Sequence, residues 1–166
     1  MQWFNEPESY TIKNGKLEMD VPAQTDYWRI SHYGFTVDDG PFLYTTVGGE
    51  FEAKIKVSGD YKVRFDQAGM MIRKDPSDWS VIELKEPIPF LWLKAVRRLD
   101  AIELYYSFDD KEYTMMRTLW MQDNCPLMVG PVAACPDGQG FKAVFSHFKV
   151  KHLPDQRRVE WLMNNQ

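Results

Sequence analysis

The segment TDYWRISHYGF, residues 25–35, places an acceptor, a flat ring and a donor fork close together in Asp26, Trp28 and Arg29. Side chains of these types hold sugars, because a ring stacks on the sugar face while charged groups form hydrogen bonds with its hydroxyls. In an extended segment, Asp26 and Trp28 lie on the same face. The sequence therefore predicts that both contact a ligand; the alternative is that Trp28 belongs to the core and Asp26 caps a turn.

A polar pair, Asp66-Gln67, interrupts the apolar run YKVRFDQAGMMIR at 61–73. If the pair is buried it needs partners, because each unpaired buried polar group costs about 1–3 kcal/mol. Those partners are either a ligand or a structural network with Arg73 and Arg97. In the strand-like segment WLKAVRR, Arg97 falls on the face opposite Trp92, where it can act as the counter-charge of the pair.

Paired carboxylates are the sign of glycoside hydrolysis, and a retaining enzyme holds them about 5–5.5 Å apart. The nearest acidic sets are Glu83 with Glu86 and Asp109 with Asp110, which lie in or beside predicted turns. Neither set has an apolar environment that would raise one pKa. The sequence therefore argues against a glycosidase.

Nucleophilic catalysis and metal binding find little support. Cys125 or Cys135 could act as a thiol with His147 or His152 as its base, but His147 alternates with its neighbours on a predicted strand, which favours a structural or surface histidine. The G-x-S-x-G motif is absent, and the cysteines lack the C-x-x-C spacing of zinc sites. His32 stands in a predicted loop. We expect no catalytic residue, no metal and no cofactor.

The charge balance also excludes some partners. The net charge is −4, and the two basic pairs, at 97–98 and 157–158, stand among acidic neighbours, so we expect no nucleic acid. The first residues, MQWFNEPESY, do not resemble a signal peptide, and no apolar run approaches the length of a membrane span. Two cysteines in such a chain favour free thiols over a disulfide. We therefore expect a cytoplasmic protein that does not bind membranes.

Period-two alternation dominates the chain and predicts an all-β fold. TIKNGKLEMDV reads as two strands joined at Asn14-Gly15, and Phe51, Ala53, Ile55 and Val57 alternate with charged residues. Further strands are predicted over 61–73, over three segments between 90 and 120, and over 126–135 and 141–153. Short strands at regular turn spacing indicate an antiparallel sandwich of two sheets. Only DQRRVEWLMNNQ, residues 155–166, looks helical. We expect one domain over 1–166, with 153–166 as a C-terminal appendage.

Six blocks of the chain together resemble one family. They are WFNEP, TDYWRISHYGF, FDQAGMMIR, SDWS, LWLKAVRRLDAIEL and GPVAACPDGQGFKAVFSHFKV, in that order. The chain resembles the DUF1349 family, called regulation-of-enolase protein in fungi, within the concanavalin A-like lectin and glucanase superfamily. The resemblance implies a jelly-roll sandwich. It also implies carbohydrate binding, because related modules occur beside glycoside hydrolase domains, although likeness of fold alone does not establish function.

The sequence departs from the family pattern at Asp75-Pro76. In the proteins it resembles, the strand ending near Arg73 is followed by about two further strands before the SDWS block. Either this chain lacks those strands, or residues 75 and 76 flank a break in the chain. We favour the break, which would separate the Cα atoms of Asp75 and Pro76 by more than the ~3.8 Å of bonded neighbours.

These observations lead to one preferred function and two alternatives. The preferred hypothesis is a non-enzymatic module that binds a carbohydrate or a sugar-related ligand on the concave sheet. The first alternative is a protein-interaction or regulatory module that uses an exposed aromatic patch or a sheet edge. The weaker alternative is a glycoside hydrolase, which two carboxylates facing each other across a cleft would favour. The predicted ligand contacts are Asp26, Trp28, Asp66, Arg73, Trp92 and Arg97.

Overall fold

The computed structural model describes residues 1–32, 34–84, 88–121, 125–155, 157, 160, 163 and 164, and the described residues form fourteen strands. The strands are β1 Gln2–Phe4, β2 Tyr10–Lys13, β3 Lys16–Val21, β4 Tyr27–Arg29, β5 Thr36–Asp38, β6 Phe42–Val47, β7 Phe51–Gly59, β8 Gln67–Asp75, β9 Asp78–Leu84, β10 Leu91–Arg98, β11 Ala101–Ser107, β12 Thr114–Trp120, β13 Leu127–Ala134 and β14 Phe141–His152.

Two antiparallel sheets face each other across one core. The first has five strands in the order β1-β6-β13-β8-β9, and the second has seven in the order β12-β11-β10-β7-β14-β3-β2. Strands β4 and β5 form a separate hairpin. The inward side chains of β7 and β8, such as Ile55 and Ile72, are fully buried in the shared cluster. The predicted all-β jelly-roll sandwich is confirmed.

Alternation in the sequence places the strands correctly in several regions. β2 and β3 meet at Asn14-Gly15, where both residues have positive φ, 52° and 73°, as a two-residue hairpin turn requires. Along β7, Phe51, Ala53, Ile55 and Val57 are buried while the charged residues between them are half-buried. Strand β8 is buried over its centre on both faces, as the nearly continuous apolar run predicts.

The strand predicted over 61–65 is wrong. Residues 60–66 form a loop between β7 and β8, because the carboxylate of Asp66 accepts hydrogen bonds from the backbone N–H groups of Lys62 at 2.8 Å and Val63 at 3.0 Å. A short acidic side chain that captures nearby backbone donors offers the chain an alternative to a sheet ladder. Phe65 has a φ of 69°, which is incompatible with an extended strand.

The expected break after Asp75 is also wrong, because the chain passes directly from β8 into β9. Asp75 pairs with Asp78 across a two-residue turn, Pro76-Ser77. The Asp75 carboxylate accepts hydrogen bonds from the backbone N–H of Ser77 at 2.8 Å and from its hydroxyl at 2.7 Å. A proline followed by a residue whose N–H is captured in this way makes a tight turn.

Strand β14 contains a bulge that determines which side chains face outward. Ser146 pairs with Lys56 of β7, and the next pair is Lys149 with Lys54, so three steps on β14 match two on β7. His147, which has a φ of 56°, lies at this bulge as the extra residue of β14. Beyond it, Phe148 packs against the core and Lys149 is exposed.

The segment after β14 runs past the ends of β7 and β10. The backbone N–H of Leu153 donates to the carbonyl of Glu50, and Arg98 donates to the carbonyl of Pro154. Of the predicted helical segment, residues 157, 160, 163 and 164 are described and have helical backbone, and its remaining positions from 156 onward lie outside the described residues. Within the described part of the chain, no helix is long and apolar enough to span a membrane.

Candidate functional site

Hairpin β4–β5 covers part of the outer face of the five-stranded sheet. Tyr27 of β4 is buried there against a second apolar cluster that includes Phe42, Met71 and Val132. Its hydroxyl donates to the carbonyl of Gly40 at 2.5 Å. Burial raises the pKa of Tyr27, so the phenol stays protonated across the physiological range. The hairpin is thus attached to the sheet by a large ring with a satisfied hydroxyl.

An ion pair fixes the second strand of the hairpin. The guanidinium of Arg73 in β8 donates to both carboxylate oxygens of Asp38 in β5, at 2.5 and 2.7 Å, and lies 4.4 Å from the ring centre of Phe4. The hydrogen bond with Asp38 raises the pKa of Arg73. Because Arg73 is almost fully buried and Asp38 is three-quarters buried, this bidentate pair is shielded from solvent.

A cleft of about 880 Å³ opens beside the hairpin, and we call it the hairpin cleft. Its volume is within the range of small-molecule sites. Strands β4, β8, β9 and β13 form most of its walls, with the turns around 64–65 and 136–137. Its aromatic lining residues are Tyr27, Trp28, Phe35, Phe65 and Trp79, and its charged or amide-bearing ones are Asp26, Arg29, Arg64, Gln67, Glu83, Arg117 and Asp137.

The two tryptophans of the hairpin cleft are half-buried, so each keeps part of its ring accessible. Trp28 donates its indole N–H to the carbonyl of Ser31 at 2.8 Å and lies 6.1 Å from the ring centre of Phe35. Trp79 contacts Tyr27 edge to face at 6.0 Å. These contacts hold both indoles in place without covering them completely, which is what a stacking platform requires.

An amide lies between two carboxylates on the floor of the cleft. In one orientation, the Gln67 amide nitrogen donates to Asp26 at 3.4 Å. With its oxygen and nitrogen exchanged, it donates to the two oxygens of Glu83 at 3.2 and 2.5 Å. Gln67 therefore brings the carboxylates of Asp26 and Glu83 within reach of one side chain, and both carboxylates line the cleft.

Only two of the six predicted contacts line the hairpin cleft. Asp26 and Trp28 do, and the alternative that Trp28 belongs to the core is wrong because its ring is partly exposed. Arg73 lies beneath the hairpin, paired with Asp38. Asp66 is 1% exposed and holds the 60–66 loop. Neither Arg73 nor Asp66 is accessible to a ligand in this conformation.

The other two predicted contacts belong to the seven-stranded sheet. Trp92 is 8% exposed on its outer face, next to His147. Arg97 points into the sandwich at one end of the core and donates to the carbonyl of Cys125 at 2.7 Å. The predicted network joining Asp66 with Arg73 and Arg97 is therefore wrong, because each has its own partner in a different part of the fold.

Sequence reasoning missed several cleft residues, although one signal was available. Trp79, Val81 and Glu83 alternate along β9, and all three line the cleft. Their period of two is the pattern that identifies one face of a strand. By contrast, Arg117 reaches the cleft from β12 in the other sheet, and no local pattern predicts that approach.

The acidic turn at 109–110 is structural. Hydrogen bonds from the backbone N–H groups of Lys111 and Glu112 keep the pKa of Asp109 below its usual range, which is the opposite of what a general acid needs. Asp110 accepts two hydrogen bonds from Lys54. Glu86, proposed as the partner of Glu83, lies outside the described residues.

The cysteines and the metal-ligand residue types that the structure describes form no second site. Cys125 and Cys135 are both free thiols, and burial raises the pKa of Cys135. The Sγ atom of Cys135 accepts a hydrogen bond from the backbone N–H of Gly140. In the described ranges, no group of three or more His, Cys, Asp or Glu side chains is arranged to hold a metal ion.

Known proteins resemble the chain in both sequence and fold. A family model described as "Protein of unknown function (DUF1349)" matches residues 3–77 and 73–153. "Regulation of enolase protein 1" of Saccharomyces cerevisiae is 29% identical over 173 aligned positions, which cover 89% of this chain and 87% of the yeast protein. That aligned length exceeds the 166 residues of this chain, so the yeast protein has residues with no counterpart here.

Solved structures extend the likeness. A functionally unknown protein from Saccharomyces cerevisiae superposes with a TM-score of 0.84 at 26% identity, over 92% of this chain and 96% of the yeast chain. The GH43 BlXynB protein from Bacillus licheniformis gives a TM-score of 0.64 at 15% identity, over 89% of this chain and 36% of that protein. The second likeness concerns the fold alone. The two family matches overlap at 73–77, from the end of β8 into the turn before β9.

Proposed function

The chain belongs to the DUF1349 family, and we propose that it is a non-enzymatic binding module whose hairpin cleft holds a carbohydrate or a sugar-related ligand. The observation that carries the proposal is the presence of two partly accessible indoles, Trp28 and Trp79, in one cleft with Asp26, Gln67 and Glu83. The proposal includes a single domain over 1–166 and a cytoplasmic location.

The chemistry of the cleft suits a polyhydroxylated ligand. A sugar ring offers an apolar face to an indole and hydroxyl groups at its edge. Asp26 and Glu83 can accept hydrogen bonds from those hydroxyls, while Arg29 and Arg64 at the rim can donate. The rim residue Phe35 is 46% exposed, so it adds contact area where a ligand would enter.

Intrinsic tryptophan fluorescence tests the proposal directly. We expect a saturable change with one class in a panel of neutral oligosaccharides, including xylo-oligosaccharides. Replacing either cleft indole, in Trp28→Ala or Trp79→Ala, should abolish it. Trp120→Ala is the matched control, since Trp120 is 69% exposed on β12 and does not line the cleft. Absence of any response across the panel would remove the support for a carbohydrate ligand.

A second candidate function, a protein-interaction or regulatory module, is favoured by the edge strand β12. Among the described strands, β12 pairs with β11 alone, and Met115, Met116 and Trp120 on it are exposed. Exposed apolar side chains on a sheet edge are a typical docking surface for another chain. The name of the yeast relative, "Regulation of enolase protein 1", agrees with this class. Loss of a co-purifying partner in Met116→Asp would support it.

The weaker alternative, glycoside hydrolysis, depends on Asp26 and Glu83, which both approach the Gln67 amide. Product analysis separates it from binding. Oligosaccharides that bind should be recovered intact after prolonged incubation with the protein. Cleavage that disappears in Glu83→Gln, while fluorescence still reports binding, would instead establish an enzyme.

A further inference from the structure

Three lysines form one row across the outer face of the seven-stranded sheet. Lys149 of β14 is directly opposite Lys54 of β7, and Lys54 is directly opposite Lys94 of β10. Paired residues of neighbouring strands point to the same face, and neighbouring strands lie about 4.8 Å apart. We call Lys54, Lys94 and Lys149 the lysine row. Lys56 lies beside it, opposite Trp92.

The lysine row has fewer carboxylates than ammonium groups. Lys54 pairs with Asp110 at 2.7 and 2.9 Å. Lys94 lies over the rings of Tyr113 at 4.0 Å and Tyr105 at 4.7 Å. In the described part of the chain, Lys94 and Lys149 have no carboxylate within 4 Å. Glu52 and Glu103 face outward one row away, and Glu103 accepts a hydrogen bond from Tyr105.

This arrangement is unfavourable in the isolated protein. Like charges directly opposite each other in an antiparallel pair destabilise it, and the lysine row contains two such pairs in succession, Lys149 with Lys54 and Lys54 with Lys94. One carboxylate, Asp110, offsets only part of the repulsion. A ligand that brings further negative charge to this face would therefore be stabilised by interactions that the free protein lacks.

We propose that the lysine row binds an acidic, extended segment of a partner protein. The rings beneath it are covered: Trp92 lies under the ammonium groups of Lys54 and Lys56, at 5.2 and 5.8 Å, and Lys56 also lies 3.8 Å from the ring centre of Phe90. Covered rings cannot stack on a sugar, which disfavours an acidic glycan. An extended peptide presents same-side carboxylates every ~6.6–6.8 Å, within reach of flexible lysine stems.

Fluorescence anisotropy with a labelled ten-residue peptide, five Glu-Ser repeats, tests this inference. At low salt we expect saturable binding that weakens as salt is added. The charge reversal Lys94→Glu with Lys149→Glu should reduce the affinity roughly tenfold, as expected for losing two exposed ion pairs and adding repulsion. Lys94→Arg with Lys149→Arg should preserve binding, because the charge remains.

The matched control reverses two lysines outside the row. Lys13 is exposed at the end of β2, on the far edge of the sheet, and Lys62 is exposed in the 60–66 loop. Lys13→Glu with Lys62→Glu changes the net charge equally and should leave the affinity within about twofold. Urea unfolding should show that every variant is folded under the binding conditions.

Three outcomes would overturn the inference. The first is no saturable peptide binding at low salt. The second is equal loss of affinity in the control variant, which would mean that net charge alone attracts the peptide. The third is binding of an oligogalacturonate that is lost on reversal of Lys94 and Lys149 while the peptide does not bind, which would assign this face to an acidic glycan.

Discussion

The outer face of the five-stranded sheet is partly covered by a hairpin, whereas among the described residues the outer face of the seven-stranded sheet is covered by its own side chains and by loop residues such as Phe90 and Tyr113. On the five-stranded face, Tyr27 of the hairpin buries its ring in an apolar cluster, and the hairpin cleft opens beside it. On the seven-stranded face, the ammonium groups of Lys54 and Lys56 lie over Trp92. The difference shows how one sandwich offers a recessed, aromatic site on one side and a surface with a row of lysines on the other.

The largest effect is expected from removing the ion pair that attaches hairpin β4–β5 to the sheet. Asp38→Ala leaves the buried guanidinium of Arg73 without its carboxylate, and we expect the free energy of unfolding to fall by about 3–5 kcal/mol. Urea denaturation measures this change. Asp39→Ala on the same hairpin is the control: Asp39 accepts one hydrogen bond from the backbone of Asp26, so its loss should cost about 1 kcal/mol. Equal losses would show that the pair does not anchor the hairpin.

Replacing one tryptophan on each face, Trp92 or Trp28, sharpens the comparison. Trp92→Ala should lower the free energy of unfolding by about 3 kcal/mol, because Trp92 is nearly fully buried under the lysines. It should leave saccharide binding in the hairpin cleft unchanged. Trp28→Ala should do the reverse, with a small stability change and no binding. If Trp92→Ala abolished saccharide binding in a folded protein, the sugar site would belong to the seven-stranded face.

A third prediction concerns the contact between β8 and β9 on the cleft floor. A Cβ atom at Gly69 would lie 1.8 Å from the carbonyl oxygen of Ile82, so Gly69→Ala forces the two strands apart. We expect a loss of about 1–3 kcal/mol in the free energy of unfolding and weaker saccharide binding. Gly48→Ala is the control, because its Cβ would meet no atom within 4 Å. Unchanged affinity in a destabilised Gly69→Ala would show that the ligand does not contact this floor.

The smallest effect on stability is expected from Asp110, on the outer face of the seven-stranded sheet. Burial raises the pKa of Asp110, but hydrogen bonds from Lys54 and Tyr113 outweigh it and leave that pKa below its usual range. A carboxyl whose pKa is lower in the folded state stabilises the fold above its unfolded value of ~3.9, and this contribution is lost as the pH falls through the folded value. Asp110→Asn should therefore cost at most about 1 kcal/mol at pH 7.

Urea denaturation of the parent protein and Asp110→Asn between pH 7 and pH 3 measures this contribution. The difference between the two should shrink as the pH falls below 4, because the parent loses its charge there as well. A difference that is independent of pH would mean that Asp110 acts through packing. It would then remove the contrast between the buried ion pair beneath the hairpin and the half-buried ion pair on the outer face of the seven-stranded sheet.

Local alternation predicted much of the fold, because one face of each long strand is buried in a single core. The pattern of β7 and the Asn14-Gly15 turn are examples, since both depend on nearby residues. The loop at 60–66 was missed for a related reason. Tyr61, Val63 and Phe65 alternate as a strand would, but the Asp66 side chain captures the backbone donors that a ladder would use.

The candidate site was predicted only in part, because it depends on which distant elements meet. Asp26 and Trp28 share a segment of eleven residues, and the cleft contains both. Arg73 and Arg97 looked equivalent as polar residues in apolar strands, yet one pairs with β5 and the other with the carbonyl of Cys125. Those partners lie 35 and 28 residues away in the chain, beyond the reach of any periodic pattern.

The bulge in β14 keeps Lys149 on the outer face of the seven-stranded sheet. If the same residues paired without the bulge, Phe148 would lie opposite Lys54 and Lys149 would turn inward. Loss of the bulge with every residue retained would thus exchange a cation for an aromatic ring on the surface. Deletion of His147 would instead remove the bulge and leave Lys149 opposite Lys54, so a one-residue gap at this position among related chains would be compatible with an unchanged surface charge.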